Sequence, residues 1–308
     1  MPRLVSSLDN PDDDSSPVAT PSSYDETRLV SKIIWKFRIL RLIGVGAFSN
    51  VYLALDTETD QQTFAIKMIR KANVMQNLRI KSSIEREVAV LQHLRHPGIV
   101  QLEATMEIEH HVCLVLEYIQ DGDLFDFVQA KRMLNAEGSV DEPLVKGLFL
   151  QLVNVVHWIH KQNCVHRDLK LENVLMYSDK HGQLKIKVSD FGLARVIDPE
   201  QPILNTRCGS EEYAAPEIVQ GIGYDARQTD AWSLGIILFA LLAAQLPFTS
   251  RDNSMTHLFY QIMQATLRWP KHIPISDHAK QVVQALLMRR PEQRALLSQV
   301  PSFPWFLP

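Results

Sequence analysis

The sequence predicts an α+β fold of two lobes, a small β-rich one followed by a larger helical one. Three observations predict it. Residues 36–70 and 100–118 alternate apolar and polar positions between breaks, as half-buried strands do, and a single helix-spaced stretch, 79–94, separates them. Past Asp121-Gly122 the spacing turns helical, beginning with the amphipathic stretch 143–162. The run from Ala231 to Ser250 carries no charged residue, as expected of a helix buried along the axis of a large core. With 308 residues, 46% of them hydrophobic, the chain can build such a core.

The chain opens on a stretch of another character. Residues 1–30 hold six acids (Asp9, Asp12, Asp13, Asp14, Asp25, Glu26) against two bases (Arg3, Arg28) and are rich in Ser and Pro. Such a segment cannot bury enough apolar surface to offset its ordering entropy, so residues 1–34 are expected to be a disordered acidic tail. It has no apolar h-region and does not read as a secretory signal. The whole chain has a net charge of only −3, which suggests neither nucleic acid nor a membrane surface as a partner. The three cysteines, Cys113, Cys164 and Cys208, are odd in number and irregularly spaced. They argue against a disulfide framework and suit an intracellular, cytoplasmic or nuclear setting. The uncharged run has the length of a membrane span, but Ser233, Gln245 and Pro247 interrupt it.

The first strand pair encloses Ile43-Gly44-Val45-Gly46-Ala47-Phe48-Ser49-Asn50-Val51. Gly44 and Gly46 would let the backbone come close to phosphate oxygens and present N–H groups to them. Phe64-Ala65-Ile66-Lys67 ends the next strand on a lysine. The helix at 79–94 supplies Glu87 to pair with it, an arrangement that would hold the lysine against nucleotide phosphates. Two strands at 100–118 follow, and then the junction of the lobes near 117–122. After the 143–162 helix comes His166-Arg167-Asp168-Leu169-Lys170-Leu171-Glu172-Asn173, and after a hairpin at 173–188 comes Asp190-Phe191-Gly192. A loop carboxylate can accept the proton of an attacking hydroxyl. A second carboxylate and an amide oxygen can hold Mg2+, which prefers hard oxygen ligands. His157, His160, Cys164 and His166 crowd together, but they lack the paired second half of a zinc site.

In this order, Gly44/Gly46, Lys67, Glu87, Asp168, Asn173, Asp190 and Ala215-Pro216-Glu217 resemble the signature set of eukaryotic-type serine/threonine protein kinases over roughly residues 36–306. Gly122-Asp123-Leu124-Phe125 and the segment 207–213 look most like the calcium/calmodulin-dependent kinase group. The resemblance implies a bilobal kinase domain over 35–306, with an N-lobe at 35–117, a hinge at 117–122 and a C-lobe at 123–306. Its cofactors would be ATP and Mg2+.

Roles follow from the same resemblance. Lys67, held by Glu87, would contact the phosphates. Asp168 would orient and deprotonate the substrate hydroxyl, and Lys170 would steady the γ-phosphate. Asn173 and Asp190 would bind Mg2+. Val51, Ala65 and Leu175 would sandwich adenine beside the gatekeeper Leu116. Glu117 to Ile119 would offer hinge backbone hydrogen bonds, and Asp123 would face the ribose or the substrate. Leu91, Leu102, His166 and Phe191 would stack as the spine of the active state. Asp230 to Gly235 would begin the central helix, and Arg294 would pair with Glu217. Ser49 in place of a third glycine and Leu171 in place of the commoner proline depart from the family pattern.

Lys170 places the chain among serine/threonine rather than tyrosine kinases. Glu172 and Glu212, with Asp123, would favour substrates carrying arginine before the acceptor, and Ser210 would shape the substrate site. Thr206 matches the activating phosphosite of many relatives, with Arg167 and Arg195 as phosphate-binding bases. The expected partners are protein substrates and an upstream kinase; no calmodulin-binding segment is seen. A pseudokinase scaffold would usually have lost Lys67, Asp168 or Asp190, and all three are present.

Overall fold

The computed structural model describes residues 29–59, 62–250 and 254–307. The first lobe is one antiparallel sheet built from β1 (Ile33–Ile34), β2 (Phe37–Val45), β3 (Ser49–Asp56), β4 (Thr63–Arg70), β5 (Leu102–Glu107) and β6 (His111–Glu117). The strand order is β1-β2-β3-β4-β6-β5. Two helices, α1 (Lys71–Gln76) and α2 (Leu78–His93), lie between β4 and β5. Along β4, Phe64, Ile66 and Met68 are buried, whereas Ala65 and Lys67 on the opposite face are half-buried. That alternation is the period-2 pattern of the sequence, and it decides which residues face the cleft. Asn77 starts α2 by accepting the Arg79 N–H on its side chain.

The second lobe is helical. Its main elements are α3 (Leu124–Gln129), α4 (Glu142–Lys161), α5 (Pro216–Gln220), α6 (Ala226–Ala243), α7 (Met255–Gln264) and α8 (Asp277–Leu286). Short strands β7 (Cys164–Val165) and β10 (Arg195–Val196) pair with each other. The same holds for β8 (Val174–Ser178) with β9 (Leu184–Val188), and for β11 (Ile203–Leu204) with β12 (Tyr224–Asp225). Every residue of α6 from Thr229 to Ala243 is buried, so the uncharged run is a core helix, and no helix among the described residues is long and apolar enough to cross a membrane. Its large apolar residues each contribute about 1.5–3 kcal/mol by leaving water.

Three features depart from the sequence reading. Residues just before 35 already belong to the N-lobe: β1 pairs Ile34 with Phe37, and Ile34 is buried in the N-lobe core. The acidic stretch 1–28 lies outside the described residues. The short helix α1 was not expected, because it buries none of its residues and so leaves no periodic signature. The lobes also meet at a second place besides 117–122. Val90, Leu91, Leu94 and Ile99 belong to the C-lobe core. The Val188 N–H donates to Gly98 O at 2.8 Å, the Val100 N–H to Val188 O at 3.0 Å, and His96 lies on Trp158 at 4.8 Å between ring centres.

Candidate active site

Strand register puts the N-lobe half of the site on one face of the sheet. Val51 is paired with Lys67, Leu53 with Ala65, and Ala65 with Leu116. Val51, Ala65, Lys67 and Leu116 therefore share one face of the sheet, and Val51, Ala65, Leu116 and Leu175 are all half-buried. Gly44 faces Val51 across the β2–β3 hairpin, and the Gly46 N–H donates to Ser49 O at 2.7 Å. Ser49 thus closes the turn where a third glycine would stand. At the hinge the Glu117 N–H is already given to Gln101 O at 2.9 Å.

Lys67 Nζ lies 2.9 and 2.8 Å from the two carboxylate oxygens of Glu87 and 3.2 Å from Asp190 Oδ1. Burial opposes the charge on Lys67, but Glu87 and Asp190 outweigh it and raise its pKa, so the lysine stays protonated. Burial raises Glu87, with the Lys67 charge working against it. Burial also disfavours the Asp190 carboxylate, yet Lys67 holds that group below its ordinary range.

Across the cleft, Asp168 Oδ1 accepts from both the N–H and the hydroxyl of Ser210, each at 3.0 Å. Lys170 Nζ lies 3.3 Å from Asp168 Oδ2 and donates to Ser210 Oγ at 3.1 Å. Asn173 donates its amide N–H to Asp168 O at 2.8 Å. The expected partnership of Ser210 with Asp168 and Lys170 is present. It depends on Gly209, whose φ is +95° and where a Cβ would meet Arg167 O at 2.7 Å. Asn173 uses its NH2 on Asp168, which leaves its amide oxygen as a hard donor, and Asp190 is ionised and half-exposed. Two such ligands suit Mg2+, which keeps several waters and needs no all-protein cage.

The loop that carries Asp168 hangs from α6. Asp230 Oδ2 accepts the His166 N–H at 3.0 Å and Oδ1 the Arg167 N–H at 2.9 Å, while His160 Nε2 lies 2.8 Å from Oδ2. Arg167 itself has φ +67°, an unusual backbone position that this clamp holds. The His166 ring bonds Ser189 O at 3.0 Å and meets Phe191 edge-on at 4.9 Å between centres. Leu91 and Leu102 lie in or against the same core. Glu217 and Arg294 form a two-pronged ion pair, 2.6 and 2.7 Å, both fully buried.

The remaining predicted residues are more dispersed. Asp123 caps α3 by accepting the Asp126 N–H at 2.8 Å; burial and the nearby charges of Asp126 and Glu172 raise its pKa. Glu172 and Glu212 are exposed. Thr206 is exposed, and its carbonyl accepts the Tyr224 hydroxyl at 2.8 Å. Arg195 is exposed on β10. Arg167 Nε donates to Leu193 O at 2.8 Å, and its Nη1 is buried without a hydrogen-bond partner. Sequence reasoning missed the Lys187 Nζ contact to Glu117 Oε2 at 2.8 Å, which ties β9 to the hinge. It also missed His160 as a partner of Asp230; the signal was a single acid at the head of an uncharged run.

The protein kinase domain family matches residues 37–306. CBL-interacting serine/threonine-protein kinase 16 of Arabidopsis thaliana is 36% identical over 292 residues, 92% of this chain and 59% of the relative. The SNF1-related protein kinase catalytic subunit alpha KIN12 of Arabidopsis thaliana is 35% identical over 285 residues, 92% of this chain and 54% of the relative. CBL-interacting protein kinase 31 of Oryza sativa subsp. japonica is 36% identical over 279 residues, 90% of this chain and 59% of the relative. The chain thus spans between half and three-fifths of the length of these relatives.

Proposed function

The chain belongs to the protein kinase family, among its eukaryotic-type serine/threonine members, and we propose on that basis that it transfers the γ-phosphoryl group of ATP to serine or threonine hydroxyls of other proteins. The observation that carries this reading is a pair of charge networks facing each other across one cleft: Lys67 with Glu87 and Asp190, and Asp168 with Lys170, Asn173 and Ser210.

Each residue then has a task. Gly44 and Gly46 cover the phosphates, and Lys67, kept charged and placed by Glu87, grips them. Val51, Ala65 and Leu175 hold adenine, and Glu117 to Ile119 offer it hinge backbone hydrogen bonds. Asp168 turns the acceptor hydroxyl toward the γ-phosphorus and takes its proton as the new P–O bond forms and the bond from the γ-phosphorus to the bridging oxygen breaks, releasing ADP. Lys170 balances charge on the transferring group. Asn173 and Asp190 would hold Mg2+, which when bound neutralises charge developing on the phosphate oxygens. Asp123, Glu172 and Glu212 form a negative surface that favours arginine a few residues before the acceptor. A phosphate on Thr206 would find Arg167 and Arg195 as its bases. The domain would run over 35–306, extended at its start by β1.

A peptide library offered with Mg-ATP tests this. Transfer to Ser or Thr with upstream Arg is expected, and Asp168→Asn or Asp190→Asn should lower kcat at least about a hundredfold. Near-normal turnover in both folded variants would refute the assignment. A library without basic preference would remove the substrate reading alone. Thr206→Ala should lower activity relative to the phosphorylated enzyme.

A further inference from the structure

The Gly192 carbonyl receives two side-chain donors from α2: Ser83 Oγ at 2.9 Å and Arg86 Nη1 at 2.8 Å. Ser83, Arg86 and Glu87 are three and four residues apart, so they share one face of the helix. Glu87 holds Lys67, Lys67 holds Asp190, and two residues further on Gly192 is tied back to α2. The contacts form a closed ring around the metal-binding end of the cleft. A Cβ at residue 192 would come within 2.8 Å of Ser83 Oγ, so a larger residue there would displace that donor. Asp190 sits inside the ring at φ +59°, a position that persists only when its surroundings hold it.

The next carbonyl is held from the other lobe, because Arg167 Nε donates to Leu193 O at 2.8 Å. Two consecutive carbonyls are thus pulled toward opposite lobes. On the α2 side the acceptor is filled by two donors. On the C-lobe side Arg167 still has a buried Nη1 without a partner.

We propose that Ser83 and Arg86 are positioning residues: a latch that fixes α2, and with it the Lys67–Glu87 pair, to the start of the activation segment without any phosphate at Thr206. Phosphate acts through Arg167 on the C-lobe side only. The proposal rests on the kinase reading above, and its two donors predict a particular signature. Either donor alone keeps the buried carbonyl satisfied. Removing both leaves it orphaned, and the penalty lies in the orphaning.

The test uses the full chain with Thr206 dephosphorylated, as wild type, Ser83→Ala, Arg86→Met, the double variant and Ser83→Thr. ATP KM, kcat and amide hydrogen exchange are measured. Each single loss should change ATP KM by less than about threefold, the double loss should raise it at least about tenfold, and Ser83→Thr should match wild type. In the double variant, exchange should quicken over 78–93 and 190–194 while α6 stays protected. Phosphorylating Thr206 should not restore the ATP KM. A double variant that is silent, or additive in its effects, or uniformly loosened, or rescued by phosphate overturns the latch. If the wild type moves no phosphate to peptide, the kinase reading fails, and exchange over 78–93 and 190–194 still decides the latch.

Discussion

Replacing Arg294 by methionine isolates the energetics of a buried ion pair in the C-lobe. The guanidinium is 0% exposed and Glu217 2%. Beyond the two bonds to Glu217, Arg294 donates to Gln228 O at 2.9 Å and to Met288 O at 2.9 Å, and it lies 5.0 Å from the Trp232 ring centre. Methionine keeps most of the stem and its apolar contact. It leaves the Glu217 carboxylate buried with no counter-charge and strands two carbonyls. Breaking a buried pair on one side costs about 3–5 kcal/mol. At about 2–4 °C per kcal/mol for a large domain, the melting temperature should fall by on the order of 10 °C. Urea unfolding and thermal melts measure this directly. The double variant Glu217→Leu/Arg294→Met should recover a good part of the loss, because neither charge is then left alone. Glu217 follows Ala215-Pro216 in the segment that carries Ser210, so peptide KM should rise in Arg294→Met before the protein unfolds. An Arg294→Met variant within about 1 kcal/mol of wild type would refute the reasoning. So would a double variant as unstable as the sum of the singles.

Three further outcomes are expected. Burial alone would raise the Asp230 carboxyl, but the His160 hydrogen bond and charge and the His166 N–H hold it low. A depressed carboxyl contributes stability above its unfolded pKa of about 4 and loses it as pH falls through the folded value, so the gap between wild type and Asp230→Asn should narrow below about pH 4; a gap constant from pH 7 to 3 in unfolding titrations would contradict this. Burial pushes the Cys113 and Cys164 thiols up to about 12, so mass spectrometry after alkylation near neutral pH should find the half-buried Cys208 modified first and the other two spared. Lys187→Met frees Glu117 and loosens β9 from the hinge, so ATP KM should rise several-fold with peptide KM little changed; equal shifts in both would assign Lys187 a general structural role.

The site was legible where chemistry dictates residue type at a fixed spacing. Asp168 and Asn173 stand five apart in one loop, a spacing that suits a base and a metal ligand, and Asp190 follows a hairpin whose turn could be read at Asp179 to Gly182. The face shared by Val51, Ala65 and Lys67 was legible through strand alternation, since Ala65 and Lys67 stand two apart on β4. What escaped was pairing over long separations and bonds to backbone. Lys187 and Glu117 are 70 residues apart, and each alone reads as an ordinary surface charge. Ser83 and Arg86 are unremarkable on a helix, because what they bind is a carbonyl 109 and 106 residues away. Every residue has a carbonyl, so no residue type announces which one will be held. Asp230 shows how far a sequence could have been pressed. An acid at the head of an uncharged, apolar run cannot stay ionised in a core without donors. The three it has come from His160, His166 and Arg167, the first at the end of α4 and the others at the start of the catalytic loop. The demand for partners was therefore readable from one residue, and only their address required the fold.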